Sequence, residues 1–262
     1  MLENMYFSQN SLSMFNLCPL KFRYRYIDGL YWPKLWDGRD SMRESVELGQ
    51  KFHLLAQRYF EGIDPFVPDN EPHAEKLKIW LKELKKFLPI NPEHTYLPEH
   101  ELRMGSKDIK LLAKYDLVHI TSNNRVIIYD WKTYRKAKKK TYLENHLQTR
   151  VYMYTFAAAG NIYVPGLTPR DITIVYWHPE HIQNGIAIPY DEVKHNSNEM
   201  FLNGLIRDIC SRPYENFLTT QEEKVCVSCE YRPVCQGMQA ELIDSELFDD
   251  YIDVEEIVEL SF

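Results

Sequence analysis

Three strand-like segments that follow one another closely constrain the fold of this 262-residue chain more than any other feature. They cover, in order, residues 95–104, 109–120 and 125–132. Good turn-forming residues, from Thr121 to Asn124, separate the last two. Helical patterns flank the three strands, at 40–61, 72–88 and 142–159, and one more strand pattern covers 172–177. The order of helix, three strands, helix and strand predicts an α/β fold with a mixed central sheet.

The segments outside this core are shorter. A capped helix is predicted over residues 8–17, a strand over 186–189 and a helix over 191–209. Aromatic and basic residues alternate from Lys21 to Tyr26, which predicts an extended segment with one aromatic face and one basic face. Because no linker composition interrupts the chain, we expect one domain over residues 1–240, with its core at about 40–178.

The charge of the chain is concentrated at its end. The net charge is −7, but residues 241–262 contain nine acidic side chains and no Lys or Arg, and without them the sum would be +2. We therefore expect an acidic tail on a nearly neutral body, which leaves room for a local phosphate-binding groove.

The strongest chemical motif ends the third strand. Asp130 and Lys132 are two residues apart, so a strand places both on one face. If the preceding turn centres on Asn123, Asp116 lies directly across from Asp130. Two adjacent carboxylates repel each other and favour a divalent cation between them, either Mg²⁺ or Mn²⁺. His53 could add an imidazole ligand, which suits Mn²⁺ somewhat better.

Each of these features also has a simpler explanation. An isolated Asp-x-Lys pair on a strand is usually a surface ion pair, and a helical histidine is more often structural than a ligand. Their occurrence together, in this order along the chain, is what favours a catalytic site.

The same residues resemble the motifs of a known family. Leu112 to Asp116, followed by Tyr129 to Thr133, resembles the two core motifs of the PD-(D/E)XK nuclease superfamily. Gln148 to Tyr152 resembles the Gln-x-x-x-Tyr motif of its RecB-like branch, and Gly49 to His53 resembles the Gly-x-x-x-His motif. The resemblance implies a restriction-endonuclease-like αβββαβ core and a metal-dependent deoxyribonuclease.

The resemblance also implies roles for individual residues. Asp116 and Asp130 would hold the metal ion, helped by His53 and the backbone carbonyl of Trp131. Lys132 would assist the attacking water molecule. Gln148 and Tyr152, the remaining two motif residues, would hold the site or the DNA strand in position.

Three grouped cysteines form a second motif, since Cys226 and Cys229 make a Cys-x-x-Cys pair and Cys235 follows closely. A metal centre with four thiolates needs a fourth ligand, for which Cys18 and Cys210 are the candidates. Zinc and an iron–sulfur cluster both accept four sulfur ligands, so spacing alone leaves the choice open.

Cys18 to Tyr24, far from the other three cysteines, resembles the split arrangement of iron–sulfur RecB-like nucleases. These include the CRISPR adaptation nucleases and the nuclease domain of AddB-type helicase–nucleases. The resemblance implies a 4Fe–4S cluster that joins the N- and C-terminal segments, with zinc as the alternative, on the ligands Cys18, Cys226, Cys229 and Cys235.

The expected substrate is DNA that is single-stranded or has free ends, cleaved as an exonuclease would, in repair, recombination or CRISPR adaptation. Five basic residues follow the catalytic strand and are predicted to contact DNA, namely Arg135, Lys136, Lys138, Lys139 and Lys140.

The acidic tail is a candidate contact for protein partners. No membrane span or targeting segment is visible, which predicts a cytoplasmic protein. The alternatives are a non-catalytic DNA-binding subunit with the same fold and a zinc-stapled hydrolase of another substrate.

Overall fold

The computed structural model describes residues 2–31, 40–106, 109–133 and 138–241. Nine α-helices are found in these ranges, α1 to α9, and they cover Gln9–Leu17, Pro19–Phe22, Asp40–Phe60, Ala74–Phe87, Lys140–Asn145, Leu147–Ala159, Glu192–Ser211, Glu223–Val227 and Arg232–Gln236. The strands β1 to β5 cover Thr95–Gly105, Lys110–Ile120, Val126–Trp131, Ile172–His178 and Ile182–Pro189. None of the helices within the described ranges combines the length and the apolar character that a membrane crossing requires.

The five strands form one mixed sheet in the order β1-β2-β3-β4-β5. Strands β3 and β4 are parallel, and the other neighbours are antiparallel. A parallel pair needs a crossover connection, which here contains α5 and α6. The predicted order of helix, three strands, helix and strand is therefore found. The helix predicted over 72–88 is α4, which precedes β1.

Helices cover both faces of the sheet because each has an apolar stripe at helical spacing. On one face, α3 and α4 bury Phe52 and Trp80 against Tyr129, Trp131 and Trp177 of the central strands. On the other face, α1, α6 and α7 pack on the sheet in a second core that contains Leu12, Val151, Tyr115, Ile174 and Leu202. The residues at the end of β3 thus lie between two packed layers.

Two local predictions were wrong. Residues 22–26 are not extended, because Pro19–Phe22 is helical and a π-helical turn follows over Arg23–Ile27. Phe22 and Tyr26 are four residues apart, and their rings pack at 5.1 Å. The alternation was misleading because side chains four residues apart share a face in a helix as well as in a strand. The helix expected over 142–159 is interrupted at His146, whose backbone is extended (ψ 143°).

The N-terminal and C-terminal segments lie against each other. Lys21 and Glu230, both buried, form an ion pair with 2.9 Å between Nζ and Oε2. The amide of Leu20 donates to the carbonyl of Leu218 at 3.1 Å. The two segments are therefore joined by direct protein contacts.

Candidate active site

The centre of the candidate site lies where β2 and β3 stop pairing. The ladder has the predicted register and ends with Leu117 opposite Tyr129. One position further, the Asp116 carboxylate takes the place of a backbone acceptor, since its Oδ2 accepts a hydrogen bond from the Trp131 amide at 2.7 Å. Asp116 is thus fixed beside the end of β3, next to the segment that carries Asp130.

A group of three possible metal ligands surrounds Asp116. It consists of His53 on α3, Glu99 on β1 and Asp116 on β2, with one ligand atom of each within 4.8 Å of the others. His53 Nδ1 lies 3.3 Å from Asp116 Oδ1 and 4.0 Å from Glu99 Oε1. All three side chains are partly exposed, so an ion could reach them from solvent.

The charges in this group favour a cation. Burial and the neighbouring charge of Asp116 raise the pKa of Glu99, while the Lys114 ammonium opposes the rise. Burial would also raise the pKa of Asp116, but His53 and the Trp131 amide outweigh it, so that pKa is lowered. A divalent ion would relieve the repulsion between the two carboxylates, because it is attracted to both.

The Trp131 carbonyl faces the same group. His53 Nε2 lies 3.0 Å from this oxygen, which fits a hydrogen bond. That bond occupies Nε2 and leaves Nδ1 for an ion, so the two carboxylates and one imidazole nitrogen form a donor set whose chemistry fits Mg²⁺ or Mn²⁺.

A second, buried group lies on the α6 side of β3. Lys132 Nζ contacts Asp130 Oδ2 at 2.8 Å and donates to Gln148 Oε1 at 3.1 Å. Gln148 Nε2 donates to Asp130 Oδ1 at 3.0 Å and to the Tyr152 hydroxyl at 3.3 Å. Tyr115, next to Asp116 on β2, donates its hydroxyl to the Tyr152 carbonyl at 3.0 Å. The structure thus brings the four predicted motif residues of this side into one hydrogen-bonded group.

The placement of Asp130 differs from the expectation. Its oxygens contact Lys132 and Gln148, and the close group of metal-type ligands found among the described residues contains Glu99 instead. Sequence reasoning missed Glu99. The flanking pairs of the β1–β2 ladder, Pro98 with Leu117 and His100 with Tyr115, place it opposite Asp116. Extending the strand pairing to β1 could have found it.

A glycine lets α3 approach the end of β3. A Cβ atom on Gly49 would lie 2.8 Å from Oγ1 of Thr133, the residue that follows Lys132. That is closer than side chains normally tolerate, so the backbone of α3 can come this near only at a glycine. One turn further along the helix, His53 is thereby brought over the end of β3.

The four predicted cluster ligands, Cys18, Cys226, Cys229 and Cys235, line one cavity. Burial raises the pKa of the Cys229 thiol to about 11. Among the described residues, no three of the sulfurs lie within 4.8 Å of one another, so a close four-cysteine cluster is not shown. The remaining cysteine is exposed at the end of α7.

The predicted DNA-contacting residues are only partly described. Arg135 and Lys136 lie outside the described residues. Lys139 and Lys140 are exposed at the start of α5, and Lys138 Nζ lies 5.4 Å from the centre of the Tyr142 ring. These three lysines follow β3 closely in the chain.

Comparisons with known proteins complete this picture. A model of the PD-(D/E)XK nuclease superfamily matches residues 6–236. No curated protein matches the chain. A solved structure named as an exonuclease candidate from Eubacterium rectale is similar at 11% identity, covering 95% of this chain and 92% of that chain with a TM-score of 0.50. A second structure, SSO0001, has 17% identity, 88% and 85% coverage and a TM-score of 0.44, which is too weak to support an argument. At such identities the likeness supports the fold alone.

Proposed function

The chain belongs to the PD-(D/E)XK nuclease superfamily, and we propose that it hydrolyses phosphodiester bonds in DNA with the help of a divalent metal ion. One observation carries this proposal. The end of β3 lies between a group of carboxylate and imidazole ligands on α3, β1 and β2 and, on its α6 side, a buried lysine that is held by Asp130 and Gln148. Such a site combines a metal position with a positive charge for the phosphate.

The metal ion in this proposal is Mg²⁺ or Mn²⁺. His53, Asp116 and the Trp131 carbonyl would hold it, because these donors are of the type that such ions bind. Asp116 Oδ1 lies 3.3 Å from His53 Nδ1, and the carbonyl lies 3.0 Å from the other ring nitrogen, Nε2. Asp130 remains a proposed ligand, because the Asp116 carboxylate accepts a hydrogen bond from the amide of Trp131, the residue that follows Asp130 in the chain. When bound, the ion would lower the pKa of a water molecule and stabilise charge on the phosphate.

The residues on the α6 side would position the reaction. Lys132 is only 2% exposed, and its ammonium group is held by Asp130 and Gln148. In the reaction it would orient the attacking water or stabilise a phosphate oxygen. Tyr152 in turn lies within hydrogen-bond distance of Gln148 and helps to fix that side chain.

We further propose that the protein belongs to the RecB-like branch and acts as an exonuclease on single-stranded or end-containing DNA. The Gly49–His53 and Gln148–Tyr152 motifs, which both contribute to the site, support the branch. Exposed lysines at the start of α5 would contact the phosphate backbone. Repair, recombination or CRISPR adaptation would be the pathway, with the acidic tail after a single domain as a contact for protein partners.

A 4Fe–4S cluster on the four cysteines is part of the same proposal. The four side chains line one cavity, which supports a shared metal centre. Tetrahedral zinc with bonds of about 2.3 Å would hold its sulfurs about 3.8 Å apart. No three of these sulfurs lie within 4.8 Å of one another among the described residues, so the proposal rests on the shared cavity and on the split spacing of the cysteines along the chain. The cluster would stabilise the contact between the two chain ends.

A nuclease assay with the purified full chain tests the function. We expect Mn²⁺-dependent cleavage of single-stranded or free-ended DNA, and we expect Lys132→Ala to abolish cleavage while DNA binding is largely kept. Lys86→Ala, on an exposed face of α4, is the matched control and should cleave normally. A wild-type protein that binds DNA without cleaving it would support the non-catalytic subunit instead.

A further inference from the structure

Glu99 has a backbone conformation that residues in strands rarely adopt. Its φ angle is +47°, although it lies within β1 and is not a glycine. The ladder pairs on both sides of it, Pro98 with Leu117 and His100 with Tyr115, are regular. A residue other than glycine with a positive φ angle costs free energy, which contacts elsewhere in the structure must offset. The conformation of Glu99 therefore calls for a functional explanation.

The two carboxylate oxygens of Glu99 face different partners. Oε1 points to the imidazole of the candidate metal group, 4.0 Å from His53 Nδ1. Oε2 accepts a charged hydrogen bond from Lys114 Nζ at 2.9 Å. Lys114 and Asp116 are two residues apart on β2, so the strand presents both on the face where Glu99 lies.

We propose that Glu99 is a further ligand of the catalytic metal ion and that Lys114 competes with the ion for its carboxylate. This inference rests on the proposed nuclease function, and it adds a residue that the family motifs quoted above do not include. A third side-chain ligand with a negative charge would strengthen binding of the ion, because the charge of the ligands sets much of the affinity of such sites.

Lys114 has the opposite effect in this arrangement. Its ammonium group neutralises Glu99 and would repel a divalent ion bound beside it. The side chain is 43% exposed, so it can turn towards solvent when the ion takes its place. Removing the charge of Glu99 should therefore weaken metal binding, and removing the charge of Lys114 should strengthen it. A purely structural ion pair would not produce these opposite changes.

Calorimetric titration of the full chain with Mn²⁺ alone tests this inference. Glu99→Gln should weaken Mn²⁺ binding at least about tenfold, because the site loses one anionic ligand. Lys114→Met should tighten Mn²⁺ binding about fivefold, because a competing charge is removed. Glu83→Gln is the matched control, since Glu83 lies on α4 and pairs with Lys86, and the affinity of this variant should stay within about twofold of the wild type.

The outcomes separate this inference from the proposed function. If Asp116→Asn abolishes Mn²⁺ binding and DNA cleavage while Glu99→Gln keeps wild-type affinity, the role of Glu99 is refuted and the nuclease proposal stands. If the wild type binds no Mn²⁺, the proposed function fails and this inference fails with it. Should Glu99→Gln not fold, Lys114→Met decides: tighter binding supports the competition, and unchanged or weaker binding overturns it.

Discussion

Replacing Lys132 with methionine would remove one half of the most buried ion pair at the candidate site. The side chains of Lys132 and Asp130 are 3% and 1% exposed, and Nζ lies 2.8 Å from Oδ2. Methionine has a similar length and fills a similar apolar volume, so the change removes the charge while it keeps most of the packing. The Asp130 carboxylate would then be buried without the ammonium group beside it.

The size of the effect follows from this geometry. At 2.8 Å and an effective dielectric constant of about 20, the direct attraction is about 6 kcal/mol, but most of it compensates for removing both charges from water. Losing one partner of such a pair costs about 3–5 kcal/mol. We therefore expect Lys132→Met to lower the free energy of unfolding by that amount, as measured by urea unfolding without divalent ions.

A double variant gives the decisive control. Combining Asp130→Asn with Lys132→Met removes both charges and should recover at least about 2 kcal/mol relative to the sum of the single changes. Lys86→Met, on the exposed surface of α4, should change stability by no more than about 0.5 kcal/mol. A loss below about 1 kcal/mol for Lys132→Met, or strictly additive losses, would refute the buried ion pair.

Three further predictions concern other parts of the molecule. Cys229→Ser should lose bound iron and lower the melting temperature; a colourless wild type with stoichiometric zinc would contradict this. Burial lowers the pKa of His119 to about 4, below its unfolded value of about 6.5, so protonation of the unfolded chain should lower stability as pH falls between these values, by up to about 3 kcal/mol. His119→Phe should flatten this decline in urea unfolding at pH 4.5 and 7, and an equal decline in both proteins would count against it. Gly49→Ala should destabilise the fold by about 1–3 kcal/mol, because its Cβ would meet Thr133 Oγ1 at 2.8 Å, whereas Gly204→Ala, with open space around it, should not.

The β2–β3 hairpin shows how far the sequence could predict this site. A turn centred on Asn123 fixed the pairing of the two strands, and the structure has that register up to Leu117 and Tyr129. The two-residue period of a strand likewise placed Asp130 and Lys132 together. These predictions were possible because they depend on contacts between residues close in the chain, where backbone geometry leaves few alternatives.

The rest depends on contacts that local patterns do not contain. Glu99 reaches Asp116 across a hairpin whose connection includes residues 107–108, and its positive φ angle has no signature in the sequence. The short segment Phe22 to Tyr26 satisfied both helical and strand periods, and its packing against Phe217 accompanies the helical outcome. The helical outcome at Phe22 involves a partner distant in the chain, which a local pattern cannot indicate. Finding Glu99 would have required the pairing of β1 with β2 to be followed as well as that of β2 with β3.

The ion pair between Lys21 and Glu230 has a consequence for synthesis on the ribosome, because 209 residues separate its two members. The strands of the sheet are complete by Pro189, well before Glu230 has been translated. During that interval Lys21 has not yet met Glu230, the carboxylate that it contacts in the folded protein. Arrested nascent chains that end before residue 226 should therefore be more sensitive to proteases near Lys21 than the released protein.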